Sequence, residues 1–169
     1  MLSKIIRSGF IALLIIANIG CDQVSKTIVR QHMAYNEDIK FVNNHVTLTK
    51  VENTGAFLSL GASMSTPFKW VFLNGLPLLA LLFGVVYLFS KTDLTKTSRL
   101  ALCCALGGGI GNLYDRCVYG SVTDFLHIDF LVFQTGVFNL ADVSIMVGAF
   151  LLLVDMYWKR GEAPPQYFS

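Results

Sequence analysis

Four stretches of this chain are apolar over about the 20 residues that a helix needs to cross the hydrocarbon core of a bilayer, and nothing else in the sequence restricts the fold so strongly. They run from about 10 to 28, 70 to 89, 98 to 115 and 137 to 158. Lipid offers the backbone no hydrogen bonds, so a crossing segment must satisfy its own peptide groups, which a helix does. Of 169 residues, 54% are hydrophobic and 14% charged, against about 25% charged in soluble domains. A chain of this length leaves no room for a second domain. The expectation is a mainly α integral membrane protein, one domain over 1–169, with four transmembrane helices and a small β-sheet on the outer membrane surface.

The first stretch invites another reading. MLSKIIRSGFIALLIIANIGC has the basic start, apolar middle and small residues of a secretory signal, and NIGC approaches a lipoprotein cleavage site. Asn18 stands where that site needs an aliphatic residue, and further apolar stretches follow, so 10–28 is expected to stay as the first transmembrane helix. Asp22 and Lys26 share one face near its end, as a neutralising interfacial pair or as part of a site. Next, VTLTKVEN has strand character, Asn53-Thr54-Gly55 signals a turn, and Phe57 to Leu60 is apolar again. The surface sheet is therefore placed over about 36–62. Asn74 and Pro77 interrupt the second stretch, where a kink is expected. Gly107 and Gly111 give the third a face for close helix approach, within the chain or between chains.

Four crossings put both termini on one side. Lys4, Arg7, Lys91, Lys96, Arg99, Lys159 and Arg160 flank the membrane there, and the positive-inside rule makes that side cytoplasmic. Asp22, Asp115, Asp124 and Asp142 then crowd the outer face. Asp155 falls at the inner end, four residues before Lys159, as a solvated or paired terminal residue.

A net charge of +2 without a basic stripe excludes nucleic acid as a partner. Cys21, Cys103, Cys104 and Cys117 form no CxxC pair, and His32, His45 and His127 lack ligand spacing, so no metal, cofactor or disulfide framework is expected. What the chain has in quantity is carboxylate. Two carboxylates in one site cannot both ionise cheaply, so one keeps a proton while the other acts as a base. Asp115 lies beside Arg116 and on a face with Asn112, which marks it as neutralised support. Asn139 and Asp142 occupy the first turn of the fourth stretch, where the helix dipole favours an anion. Asp124 in SVTDF and Asp129 in HIDF have similar settings in the loop before it, and the residues alone leave both as candidates. A rival class, a small intramembrane proton or ion carrier, calls for acids at mid-depth rather than at one face. A purely structural role would leave acids without partners, because they outnumber the nearby cations.

Five blocks carry a resemblance. DQVSK (Asp22 to Lys26), NTGAF (Asn53 to Phe57), GGGIGNLYDR (Gly107 to Arg116), VTDF (Val122 to Phe125) and FNLAD (Phe138 to Asp142) occur in an order and spacing similar to those of lipoprotein signal peptidase, or signal peptidase II. The resemblance implies a bacterial cytoplasmic-membrane aspartyl peptidase with four transmembrane helices, cytoplasmic termini and a site near the outer face. It also implies cleavage of prolipoproteins on the N-terminal side of a diacylglyceryl cysteine. It makes Asp124 and Asp142 the catalytic pair and leaves Asp129 as a loop residue. Asn53, Gly55, Asn112, Arg116 and Asn139 become residues that line the site, and Asp22, Lys26 and Asp115 framework or positioning residues. Its implied partners are lipid-modified prolipoproteins, membrane lipids and peptide antibiotics such as globomycin. Thr123 departs mildly from the family, in which Val is common, and His127 to Val137 matches no motif.

Overall fold

The computed structural model describes residues 2–35, 37–55, 65–130 and 132–161. Helix α1 (Leu2–His32) leads into strands β1 (Asp38–Phe41) and β2 (Val46–Asn53). The short α2 (Thr66–Lys69), a π-helical turn (Trp70–Gly75) and α3 (Leu76–Ser90) follow. Helix α4 (Lys96–Tyr119), strand β3 (Val122–Ile128) and helix α5 (Leu140–Gly161) complete the fold. Ala56, Phe57 and the rest of the apolar return to Leu60 lie outside the described residues.

Among the described residues, three helical stretches are long and apolar enough to cross a membrane: Lys4–His32, Pro67–Ser90 and Leu140–Trp158. The stretch expected at 98–115 lies within α4, which packs against α1, α3 and α5 at the centre of the bundle. Large apolar side chains cover the outside, and polar groups are buried beside an apolar core of Ile11, Ile15, Leu88 and Leu106. Leu79, Phe83 and Phe150 are exposed, whereas Asp22, Lys26, Asp115 and Asn139 are almost wholly buried. Where lipid-facing and interior surfaces are equally apolar, helices gain by close van der Waals approach and buried polar contacts. The glycines of α4 supply that approach inside the chain. A Cβ on Gly107 would fall 2.6 Å from the Asn18 Cβ of α1, and one on Gly108 would strike the Ala141 carbonyl of α5.

Near Pro77 the backbone opens into a π-helical turn, with the Leu76 N–H donating five residues back to the Val71 carbonyl. Proline at the start of α3 has no N–H to give, so the turn upstream is free to widen. Asp155, expected as a solvated or paired terminal residue, is not solvated. It is buried and accepts from Thr95 Oγ1 at 2.7 Å and Ser98 Oγ at 2.6 Å, which fastens α5 to the first turn of α4.

The sheet is antiparallel, in the order β1–β2–β3. β3 is a departure from expectation, since the Asp124 segment reads as a loop in sequence. The sheet rests on the far end of α1, where Val29 and Met33 pack against Phe125.

Candidate active site

Asp124 owes its setting to a break in strand register. β2 and β3 pair Leu48 with Leu126 and then Val51 with Asp124, so β2 carries one extra residue between those pairs. Side chains alternate faces, and a one-residue slip moves every later side chain to the other face. The bulge therefore brings Asn53 onto the face of Asp124. Asn53 Nδ2 donates to Asp124 Oδ2 at 3.0 Å, and its Oδ1 accepts from the Gly55 N–H at 2.9 Å.

Asp142 owes its setting to the start of α5. Asn139 precedes the first helical residue, and its Oδ1 accepts from the Asp142 N–H at 3.0 Å. Asp142 Oδ2 reaches back to the Asn139 N–H at 3.1 Å, a reciprocal capping arrangement. The remaining end of the Asn139 amide, Nδ2, donates to Asp124 Oδ1 at 2.6 Å. Asn139 thus joins a strand carboxylate, through its side chain, to a helix carboxylate, through its backbone N–H. Asn112 Nδ2 of α4 donates to Asp142 Oδ1 at 2.8 Å. Burial pushes the Asp124 carboxyl up to about 6 and the Asp142 charge adds to the rise, while the Asn53 and Asn139 amides oppose it.

Behind this pair lies a buried charge network. Lys26 Nζ contacts Asp22 Oδ2 at 2.8 Å, Asp115 Oδ2 at 2.9 Å and Asn112 Oδ1 at 2.9 Å. The last contact takes up the amide oxygen of Asn112 and leaves its NH₂ for Asp142. Asp22 Oδ1 also accepts from the Ala141 N–H at 3.0 Å, fixing the first turn of α5. Asp115, expected to be neutralised by its neighbour Arg116, pairs instead with Lys26 and with Arg30 Nη2 at 2.9 Å. Sequence reasoning missed Arg30 and Gln23. Gln23 Nε2 donates to Asp22 Oδ2 at 3.1 Å and to Asp115 Oδ1 at 3.0 Å. Arg30 was within reach of the pattern, because Asp22, Lys26 and Arg30 continue one helix face at intervals of four. Arg30 Nε also donates to Thr123 Oγ1 at 2.8 Å, and that hydroxyl donates to Glu52 Oε1 at 2.9 Å. Thr123 Oγ1 thus links Arg30 of α1 to Glu52 of β2.

Arg116 faces the other way. Its Nη2 donates to the Gly55 carbonyl at 3.2 Å, and its side chain lines a cavity of about 450 Å³ with Asn112 and Asp142 at the polar end. Pro77, Leu81, Ile145 and Met146 form apolar walls. A second cavity, about 550 Å³, lies on an adjacent face of α5 between Phe133, Phe138, Val143 and Val147, and Met146 borders both. Asp129 stands apart, half-buried in the β3–α5 connection, with Oδ2 accepting from Gln134 Nε2 at 2.9 Å. All ten residues singled out from the sequence, from Asp22 to Asp142, belong to this one connected region.

A bundle of membrane-capable helices with buried polar groups, in which Asn139 joins two carboxylates and one of them lines a largely apolar cavity, is the architecture of an integral membrane protein. The family model for signal peptidase II matches residues 14–158. The lipoprotein signal peptidase of Bacillus subtilis (strain 168) is 36% identical, over 90% of this chain and 94% of that protein. That of Streptococcus pyogenes serotype M1 is 32% identical over 91% and 96%. A solved bacterial membrane enzyme superposes with a TM-score of 0.80 at 20% identity, covering 95% of each chain, and so shares the fold. The chain belongs to the signal peptidase II family of aspartic peptidases.

Proposed function

We propose that the chain cleaves lipid-modified prolipoproteins on the N-terminal side of the diacylglyceryl cysteine, with Asp124 and Asp142 acting on one water. The observation that carries this reading is the Asn139 bridge. Ion pairs with Lys26 and Arg30 take up Asp22 and Asp115, while neutral amides hold Asp124 and Asp142 side by side. Asp124, with its raised affinity for a proton, starts as the acid. Asp142, which accepts from Asn112 and from a helix start, starts as the base. The base takes a proton from water as it attacks the scissile carbonyl, and the acid protonates the departing amine. The Arg116 guanidinium lines the cavity beside Asp142 and is suited to hold a substrate carbonyl there. The apolar walls of the adjoining cavity suit a membrane-embedded substrate, and acyl chains anchored in lipid would hold the scissile bond at a fixed depth. Peptide antibiotics such as globomycin would compete for the same cleft.

Four crossings, cytoplasmic termini and an outward-facing site in the bacterial inner membrane belong to the same reading. The test is cleavage of a lipidated precursor by the purified protein, with the unlipidated precursor as comparison. Asp124→Asn and Asp142→Asn should each lower the rate at least about a hundredfold, the smaller contribution usual for a general acid or base, while leaving membrane insertion unchanged. Normal cleavage by Asp142→Asn would remove the pair from the mechanism, and equal cleavage of both precursors would remove the lipid requirement.

A further inference from the structure

At the end of the bundle remote from the acids, Phe10 of α1 and Lys96, Arg99 and Leu100 of α4 line a cavity of about 420 Å³. This end is well defined, because the Arg7 guanidinium donates to the Phe89 and Lys91 carbonyls at 3.1 and 3.2 Å, tying the start of α1 to the end of α3. Two features set the cavity apart from an ordinary basic flank. Among the described residues neither Lys96 nor Arg99 forms an ion pair, and the nearby acid Asp155 is already engaged by Thr95 and Ser98. Arg99 gives Nη2 to the Leu94 carbonyl at 3.1 Å, yet its Nε is buried with no hydrogen-bond partner among the described residues. Beside these cations, Phe10 and Leu100 leave apolar surface exposed, 57% and 42% respectively.

From this arrangement we infer that the cavity binds an anionic phospholipid, its phosphate on Lys96 and Arg99 and one acyl chain along Phe10 and Leu100. Basic pockets between helices at a cytoplasmic membrane face suit such headgroups, and guanidinium N–H groups match phosphate oxygens. Three surfaces and one ligand class fit together: the Lys96 ammonium, the Arg99 guanidinium, and an apolar floor of Phe10 and Leu100. The occupant couples α1 to α4, two helices that also carry Lys26 and Asn112.

The inference rests on the chain being inserted in a bilayer, and membrane fractionation tests that separately: recovery as a soluble protein without detergent would sink the insertion reading itself. For the site, the full-length protein is delipidated in neutral detergent and titrated with phosphatidylglycerol, phosphatidylcholine or inorganic phosphate, with bound species read by native mass spectrometry. Phosphatidylglycerol should be retained in preference to phosphatidylcholine, and phosphate alone should not displace it at equal concentration. Lys96→Ser and Arg99→Gln should each weaken retention by about fivefold, the effect expected for one basic residue near an anionic lipid. Leu100→Ser should weaken the lipid without giving free phosphate an advantage. Equal retention of both lipids, displacement by phosphate, or wild-type retention in Lys96→Ser would each overturn the site. Lys96 is exposed, so that variant keeps the test valid even if Arg99→Gln fails to fold.

Discussion

Asn139 shows how much a single residue settles here: its side-chain amide caps a helix and holds a carboxylate from a strand, while its backbone N–H donates to the carboxylate of Asp142. Its counterpart Asn53 has a narrower duty, which makes it the cleaner probe. The Asn53 amide stabilises the ionised form of Asp124, whose carboxyl is already pushed up from 3.8 to about 6 by burial. Asn53→Ala removes a donor that favours the anion, so Asp124 should hold its proton to still higher pH. If Asp124 starts as the acid, the alkaline limb of a kcat/KM profile should move upward in pH, and a limb that moves down would reverse the assignment. The linkage to stability has a definite sign. Between pH 3.8 and about 6 the folded protein keeps a proton that the unfolded chain has lost, so stability should fall as pH rises through that window and flatten above it. Lys26 is a second probe. Its ammonium is fully buried between two carboxylates, and removing one partner from such a group typically costs about 3–5 kcal/mol. Lys26→Met should lower the thermal midpoint sharply and Lys26→Arg should recover part of it. An unchanged midpoint in Lys26→Met would show that the network contributes little.

At the scale of elements, the acids are brought together by close helix approach and by one bulge. A side chain at Gly108 would press on the Ala141 carbonyl, whose own N–H is fixed by Asp22. The start of α5 would have to move, and Asp142 with it. Gly108→Val should therefore cost about 1–3 kcal/mol, the usual range for overpacking, and should lower kcat more than it raises KM. Gly9→Val in α1 meets nothing within 4 Å and should be neutral. Equal thermal midpoints and rates for the two variants would rule out the close approach as a positioning device. The difference between what sequence showed and what it hid has the same origin. Asp22 with Lys26 and Asn139 with Asp142 are helix neighbours, legible because spacings of three and four residues are local. β3 was hidden because VTDF is buried on both sides and shows no alternation of polar and apolar residues. The bulge was hidden because register depends on a partner strand about 70 residues away. Arg116 misled for the opposite reason: adjacency along the chain suggested a pair with Asp115, while consecutive helix residues point about 100° apart.

For the whole molecule, the sheet bears on how many times the chain crosses the membrane. β2 precedes the Pro67–Ser90 stretch and β3 follows α4, yet the two strands pair edge to edge. If α3 carries the chain across, α4 must bring it back, or the two strands would lie on opposite sides of the bilayer. The apolarity of α4 is diluted by Lys96, Arg99, Asp115 and Arg116, but its 24 residues suffice for a crossing, Asp115 is buried against Lys26 and Arg30 of α1, and Lys96 and Arg99 stand at the end of the helix. The sheet thus supports the fourth crossing that hydropathy alone leaves out. Reporter fusions give the test. A reporter active only outside the cytoplasm should work when inserted at Asn43, in the β1–β2 turn, and fail at Thr92, between α3 and α4. A fusion following Arg160 should also fail, because four crossings return the chain to the side on which it began. Activity after Arg160 would mean an odd number of crossings and would break either the membrane path of α4 or that of α3.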